Sequence, residues 1–532
     1  MNNCDLIVRT LEQAGVRWVF GVPSGPVLPL IDALRRSRVQ FVLTASETSA
    51  AFMASAVGYL SGVPGVCVST VGPGATNLTT GVGSAWLDRA PLLAITCNVA
   101  TPWLDRRIQM RIDHHTLFKP LTKATLACRN ANVGDLFTQA IATATGEPPG
   151  PVHLDLPEDV AQALAVETRG AVSAPARLSD LSKEVAEAIS NALDNCKQPL
   201  LITGLSFTRA ASAKSLVQFI ERQNIPFVTT LHGMGFLPES HGNFVGVIGR
   251  ARRSDIKKFT DRADLIIAVG YDPIEINYEE WVKKGVPLIH ISTEAAESGD
   301  GLNFFWNKAC DLAAAIQAMN GIPAAVNEWS PQEFRAHRDA WDRALRPPSA
   351  SFTPHQALDI LREKLPADGI LAYDVGAHTH QIASQWRTDE PKTLLATNGW
   401  SSMGYGMPAA YAAKLVYPDR AVVCVVGDGG FQMTAGELAL ARRLNLAVPI
   451  IVLNDGWLGL MKVKQERRNY PLSGVRLGEP PESPAHYFGV PCRPAKTTDE
   501  FRLALDWAFT LSEPSVIEAF VDAESYSSTV FD

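Results

Sequence analysis

The 532-residue sequence contains no Cys-x-x-Cys pair, although eight cysteines are spread along it at 4, 67, 97, 128, 196, 310, 424 and 492. Most stand in apolar runs, such as 65–69 and 422–426, and read as small buried hydrophobes, not as disulfides or a zinc site. No apolar run approaches the ~20 residues of a membrane span; the longest are strand-sized and broken by Gly, Pro or charge. There is no basic excess either. Lys and Arg number 48 against 55 Asp and Glu, a net charge of −7, which leaves no electrostatic footprint for nucleic acid or an anionic membrane. The first residues, Met1-Asn-Asn-Cys-Asp5, lack a basic region and an apolar stretch, so no signal peptide and a cytoplasmic location are expected. Neither G-x-G-x-x-G nor G-x-x-x-x-G-K-[ST] occurs, which weakens nucleotide-binding readings. Gly399-Trp-Ser401-Ser-Met403 lacks the closing Gly of a nucleophile elbow, against a serine hydrolase.

What is present is core. With 46% hydrophobic and 19% charged residues, disorder is excluded, and 39 Gly and 35 Pro supply turns between many short elements. Apolar runs of strand length at 16–20, 41–43, 66–69, 92–96 and 152–156 alternate with helical segments such as 27–36 and 49–59. The alternation restarts at 200–203, 227–229, 265–269 and 288–291, and again at 370–373, 421–426, 450–453 and 515–520. Two stretches, 166–178 and the proline-bearing 321–354, break it and read as linkers. The expected fold is therefore α/β, with three domains over 1–165, 180–325 and 350–532, each a mainly parallel sheet flanked by helices.

The chemistry concentrates where two of these strands end. Ala421-Val-Val-Cys-Val-Val426 runs into Gly427-Asp428-Gly429-Gly430, and Val448-Pro-Ile-Ile-Val-Leu453 into Asn454-Asp455-Gly456-Trp457. Buried strands deliver side chains to the carboxyl end of a sheet, where open α/β folds bind ligands. Glycines there let backbone N–H groups approach phosphate oxygens. Alone, Gly-Asp-Gly is ordinary turn chemistry. With Asp455 on a second strand end 27 positions on, two carboxylates, a carbonyl, two phosphate oxygens and a water would complete the octahedral shell of Mg²⁺.

These segments resemble the diphosphate and Mg²⁺ region of thiamine-diphosphate-dependent enzymes, the superfamily of pyruvate oxidase, acetolactate synthase and 2-oxo acid decarboxylase, and the likeness covers nearly the whole chain. It implies a pyrimidine-binding first domain, a Rossmann-like central domain and a diphosphate-binding third domain. It also implies Asp428, Asp455 and the Trp457 carbonyl as metal ligands, with Gly427, Gly429, Gly430, Leu458 and Gly459 against the cofactor. The segment from Thr44 to Tyr59 resembles the strand-to-helix segment that carries the family's glutamate, here Glu47. A carboxyl at the aminopyrimidine N1′ favours the imino tautomer, whose 4′-nitrogen removes the thiazolium C2 proton. Ser69-Thr-Val-Gly-Pro73-Gly-Ala-Thr-Asn77 resembles the loop that lines the cofactor from a partner subunit. In Thr397-Asn-Gly-Trp-Ser401-Ser-Met403, Met403 corresponds to the wedge under the bent cofactor; the Ser401 carbonyl and Met403 N–H would hold the aminopyrimidine. The turn Asp374-Val-Gly376-Ala377-His378 would meet the diphosphate from a third strand end.

Within the superfamily, the residues lean toward the flavin-independent, catabolic acetolactate synthases. Asp stands at the second ligand position, 455. Gly25 stands where pyruvate and indolepyruvate decarboxylases carry an Asp, and the segments 270–275 and 460–465 look like the synthases. FAD is not expected. Two departures remain: Met110-Arg111 replaces the usual Gln-Glu, and His114-His115 resembles the catalytic pair of decarboxylases. A substrate-facing histidine could relay protons, or the pair could end a solvated loop. The expected activity is decarboxylation of pyruvate or another 2-oxo acid followed by ligation to an aldehyde or 2-oxo acid. The alternatives are a non-ligating decarboxylase of the benzoylformate or phenylpyruvate type and, in another class, a non-catalytic cofactor-binding homologue. The family implies a homodimer or homotetramer with active sites at the subunit interface.

Overall fold

The computed structural model describes residues 1–166, 177–210, 212–478 and 482–530. Three six-stranded parallel sheets follow one another, the expected α/β class. The first contains β1 (Trp18–Gly21), β2 (Gln40–Leu43), β3 (Gly65–Ser69), β4 (Leu92–Asn98), β5 (Ala124–Ala127) and β6 (Pro151–Pro157), in the order β2-β1-β3-β4-β6-β5. The central sheet holds β7 (Pro199–Thr203), β8 (Phe227–Thr229), β9 (Phe244–Val247), β10 (Leu265–Val269), β11 (Pro287–Ser292) and β12 (Asn303–Ala309), ordered β12-β11-β10-β7-β8-β9. The third holds β13 (Ile370–Tyr373), β14 (Leu394–Leu395), β15 (Val422–Gly427), β16 (Pro449–Asn454), β17 (Cys492–Ala495) and β18 (Ser515–Phe520), ordered β14-β13-β15-β16-β18-β17. Interior strands such as β3, β4 and β16 are buried along their whole length because helices cover both sheet faces. No described helix is long and apolar enough to cross a membrane.

Every strand expected from an apolar run is present within two residues, but β5, β9, β12, β14 and β17 have no such run. All five are edge strands. An edge strand is covered less completely, so its sequence need not be uniformly apolar, as in the largely exposed β12. In β9 the run is interrupted by Gly246, whose φ of +135° strains a side chain and whose Cβ position lies 2.4 Å from Ile256 Cδ1 and 3.2 Å from the Trp341 ring.

The stretch 321–354, expected as a linker, contains helix Pro331–Ala344. Ser330 and Glu333 form a reciprocal capping box and Pro331 takes the first helical turn, where a missing N–H costs nothing. The helix buries Phe334 and Trp341 in the core shared with the central sheet. The proline therefore starts an element instead of interrupting one. The other expected linker, 166–178, lies mostly outside the described residues.

Within the chain, the first and third sheets pack through helices Glu47–Ser61 and Gly406–Val416, whose apolar residues share one core. The first of these helices is buried from Ser49 to Gly58, which explains its lack of a polar face.

Candidate active site

A cavity of about 380 Å³ opens at the carboxyl ends of β13, β15 and β16. Thirteen of the residues assigned to the cofactor from sequence line it: Gly376, Ala377 and His378 after β13; Ser401 and Met403; Gly427, Asp428, Gly429 and Gly430 after β15; Asp455, Trp457, Leu458 and Gly459 after β16. The glycines leave room where side chains could not fit. A Cβ on Gly430 would stand 2.1 Å from Asp374 Oδ2, and one on Gly429 would stand 2.8 Å from Leu458 Cδ2.

The two carboxylates are placed for a cation. Asp428 Oδ1 accepts from the Gly429 N–H (2.9 Å) and Oδ2 from the Gly456 N–H (2.8 Å), while Asp455 Oδ1 accepts from the Trp457 N–H (2.8 Å). Burial pushes Asp428 up to about 6. Burial, then repulsion from Asp428, pushes Asp455 up to about 7. A divalent cation would relieve both penalties. His378 Nε2 is buried without a hydrogen-bond partner, and burial pushes the ring down to about 4. A neutral imidazole and a glycine-lined wall fit a diphosphate, and the carboxylate pair fits a divalent cation such as Mg²⁺.

Asp374, which begins the turn expected at the diphosphate, stands behind this wall against Gly430 and does not line the cavity. At the end of β13, it accepts from the Gly404 N–H (2.9 Å) and Tyr405 N–H (3.1 Å) and ties that strand to the turn after Met403. Burial pushes its carboxyl up to about 6 in spite of these donors. Ser401 in the same stretch has a φ of +50°, a strained value for a residue with a side chain, and donates its hydroxyl to the Asn398 carbonyl (2.6 Å). Val375, Leu453, Leu460, Met461 and Tyr526 complete the lining beyond the sequence-assigned residues.

The other five residues gather on the first sheet, and none lines this cavity. Glu47 opens helix Glu47–Ser61, capped by Ser46, and its Oε2 accepts from Asn77 Nδ2 at 3.0 Å. Pro73 begins helix Pro73–Leu87 after Gly72, whose φ is +68° and whose Cβ position is 2.2 Å from the Met110 carbonyl oxygen. The N–H groups of Ala45 and Ser46 donate to the Glu437 carboxylate (3.0 and 3.2 Å). Glu437 lies in the short turn that follows helix Asp428–Thr434, whose first three residues line the cavity. Within one chain, then, Glu47 is not among the residues that line the cavity.

His114 is 1% exposed, and both its ring nitrogens are engaged. Nε2 accepts from the Gly72 N–H (3.2 Å), so Nδ1 carries the proton and donates to Asp155 Oδ1 (3.0 Å). Asn98 Nδ2 also donates to Asp155 (3.0 Å). Burial would raise the Asp155 carboxyl, but the His114 hydrogen bond holds it below the usual range. His115 is partly exposed and pairs with the Thr125 hydroxyl. The His114→Ala substitution would leave the Gly72 N–H unpaired and take one donor from Asp155, which keeps Asn98 and Thr96; the expected loss is ~1–3 kcal/mol in denaturant unfolding. Behind this pair, His153 stacks on Phe118 at 4.3 Å, and burial pushes it down to about 3. Between its usual 6.5 and that value only the unfolded chain takes up the proton. Relative to His153→Gln, the wild-type protein should therefore lose stability as pH falls from ~7 to ~5, by at most ~1.4 kcal/mol per pH unit.

Comparison with known proteins agrees with this geometry. Family models of the thiamine pyrophosphate enzymes match along the chain: the N-terminal TPP binding domain at residues 1–117, the central domain at 183–319 and the C-terminal TPP binding domain at 374–519. The chain is 31% identical to the acetolactate synthase large subunit of Lactococcus lactis, over 87% of this chain and 82% of that one. It is 30% identical to the probable acetolactate synthase large subunit of Methanocaldococcus jannaschii, over 98% and 92%. It is 28% identical to the acetolactate synthase of Bacillus subtilis, over 97% and 93%. With three matched domains in order and relatives aligned over 82–92% of their length, the chain belongs to the thiamine-pyrophosphate enzymes and is an enzyme of the acetolactate synthase type.

Proposed function

We propose that the protein decarboxylates pyruvate or a related 2-oxo acid and joins the remaining acyl unit to a second carbonyl compound, with thiamine diphosphate and Mg²⁺ at a site shared by two chains. For two 2-oxo acid anions, one proton is consumed and a 2-hydroxy-3-oxo acid and CO₂ leave. The single observation that carries the reading is the cavity that unites thirteen sequence-assigned residues around a carboxylate pair. When bound, thiamine diphosphate supplies a nucleophilic carbon for the carbonyl of the 2-oxo acid.

The chain's own residues divide the remaining work. Asp428, Asp455 and the Trp457 carbonyl hold Mg²⁺, and His378 with Gly376, Ala377, Gly427, Gly429 and Gly430 receives the diphosphate. Leu458 and Gly459 close that wall; Ser401 and Met403 hold and bend the cofactor. Glu47 holds a proton at the pyrimidine end, steadied by Asn77, with Pro73 shaping their loop. Because Glu47 does not line the cavity of its own chain, Glu47 serves the cavity of a partner, and the working unit is a homodimer or a larger assembly.

Ligation is favoured over simple decarboxylation by His114. A buried ring with both nitrogens engaged is a poor proton donor to substrate, so His114 supports the loop at Gly72, and His115 is the one partly exposed histidine of the pair. The flavin-free reading is supported by the crevice at the carboxyl ends of β7, β10 and β11. Asp272, Glu279, Glu294 and Glu297 line it, and its Arg89 is already paired with Asp272 (3.0 Å) and Glu294 (2.6 Å), a hostile lining for a dinucleotide's pyrophosphate. The test is incubation of the enzyme loaded with thiamine diphosphate and Mg²⁺ with a panel of 2-oxo acids, with and without aldehydes. Acyloins or 2-hydroxy-3-oxo acids are expected. Free aldehyde alone would favour the decarboxylase reading, and no CO₂ from any member would overturn the donor class.

A further inference from the structure

The stretch that ends in Ser401 and Met403 is held at its start by other parts of the chain. Asp88, just past helix Pro73–Leu87 and 7% exposed, places Oδ1 within reach of the N–H groups of Asn398 (3.1 Å) and Gly399 (2.8 Å) and of His232 Nε2 (3.2 Å). Its Oδ2 accepts from the hydroxyls of Thr397 (2.7 Å) and Ser84 (3.2 Å). Burial would raise this carboxyl, but His232 and the other donors hold it below its ordinary range, and the same pairing raises His232 against its own burial. From the central sheet's half, Arg250 donates to Asn398 Oδ1, and Asn398 Nδ2 reaches the Glu275 carbonyl at 3.4 Å. Trp400 covers Gly83 so closely that a Cβ there would stand 2.7 Å from its ring, and Gly399 packs on Leu87.

Three sheets' worth of chain therefore converge on 397–399, and two residues later Ser401 enters its left-handed conformation and the cavity wall. Such a backbone state is strained and persists only where its surroundings over-determine it. None of Asp88, His232 or Arg250 lines the cavity. We propose that Asp88 is a positioning residue for the cofactor-holding stretch 397–403, and that His232 and Arg250 give the central domain a part in cofactor affinity. The proposal rests on the reading above that Ser401 and Met403 hold the cofactor. An ionised carboxylate suits the task because its hydrogen bonds to two adjacent N–H groups are stronger than neutral ones and fix their direction.

The experiment compares thiamine diphosphate binding in the presence of Mg²⁺, by tryptophan fluorescence, for wild type, Asp88→Ala, Asp88→Asn, His232→Gln and Met403→Ala, together with apoprotein melting. Asp88→Ala should weaken binding roughly 10–100-fold, as loss of an outer-shell support does at other sites. Asp88→Asn, which can still accept from both backbone N–H groups, should recover most of that loss. His232→Gln should weaken binding by a smaller factor with apoprotein melting unchanged. Where Asp88→Ala does not fold, His232→Gln decides, because it leaves the backbone bonds to Asp88 in place. Wild-type affinity in both Asp88→Ala and His232→Gln would overturn the proposal. Weakened binding in Met403→Ala alone would sink the inference and leave the cavity reading standing, and unchanged binding in Met403→Ala would sink that reading itself.

Discussion

Exchange of Glu47 for Gln is expected to slow deuterium exchange at C2 of bound thiamine diphosphate by roughly 10²–10⁴-fold, the range of a lost acid–base group. Gln keeps the length of Glu47 and can still accept from Asn77 Nδ2, now at 3.0 Å from Oε2. It also leaves the Ser46 cap of helix Glu47–Ser61 in place. What it loses is the carboxyl that can hand a proton to a ring nitrogen and take it back. The cofactor should therefore bind within about tenfold of wild type, since Mg²⁺ and diphosphate are held by the other half-site. NMR of the quenched, isolated cofactor measures the exchange. An unchanged rate would remove Glu47 from the chemistry and, with it, the shared-site arrangement.

The second large effect is expected at Asp428. Asp428→Asn should lower thiamine diphosphate affinity in the presence of Mg²⁺ by roughly 100-fold or more, because even outer-shell substitutions cost 10–100-fold at metal sites. Its effect on the protein without cofactor should have the opposite sign. Asp455 is pushed up to about 7 partly by Asp428, so neutralising one of the two repelling carboxylates removes a native-state penalty. The apoprotein variant should melt no lower than wild type, and Mg²⁺ with cofactor should raise the melting temperature of the wild type alone. A variant that binds cofactor normally would dismiss the metal-site assignment. One that fails in both states would show Asp428 to be structural.

How legible these features are in the sequence follows from how local they are. Asp428 with its glycines, and Asp455 with Trp457, sit where strands long enough to be read as apolar runs end, so their convergence on one cavity could be expected from spacing and parallel topology. The task of Asp374 is not legible in that way. The residue stands at the end of an equally clear strand, but it binds the N–H groups of Gly404 and Tyr405, 30 and 31 residues on. The paired histidines show the same limit more sharply. His114 reads as a reactive side chain beside His115, yet its partners are Gly72 and Asp155, each about 40 residues away.

The sequence by itself determined the α/β class, the interior strands of all three sheets and, at the cavity, the glycines and carboxylates after β15 and β16. Each depends on a short contiguous pattern: an apolar run buried on both faces, or a glycine-flanked carboxylate at its end. Tertiary structure alone decided the five edge strands, the helix at Pro331–Ala344, the engagement of His114 and the convergence of Asp88, His232 and Arg250 on Asn398 and its neighbours. An edge strand can be written in mixed residues because its neighbours bury only part of it. A buried polar side chain is chosen for partners that arrive from distant segments, and no local period records which ones.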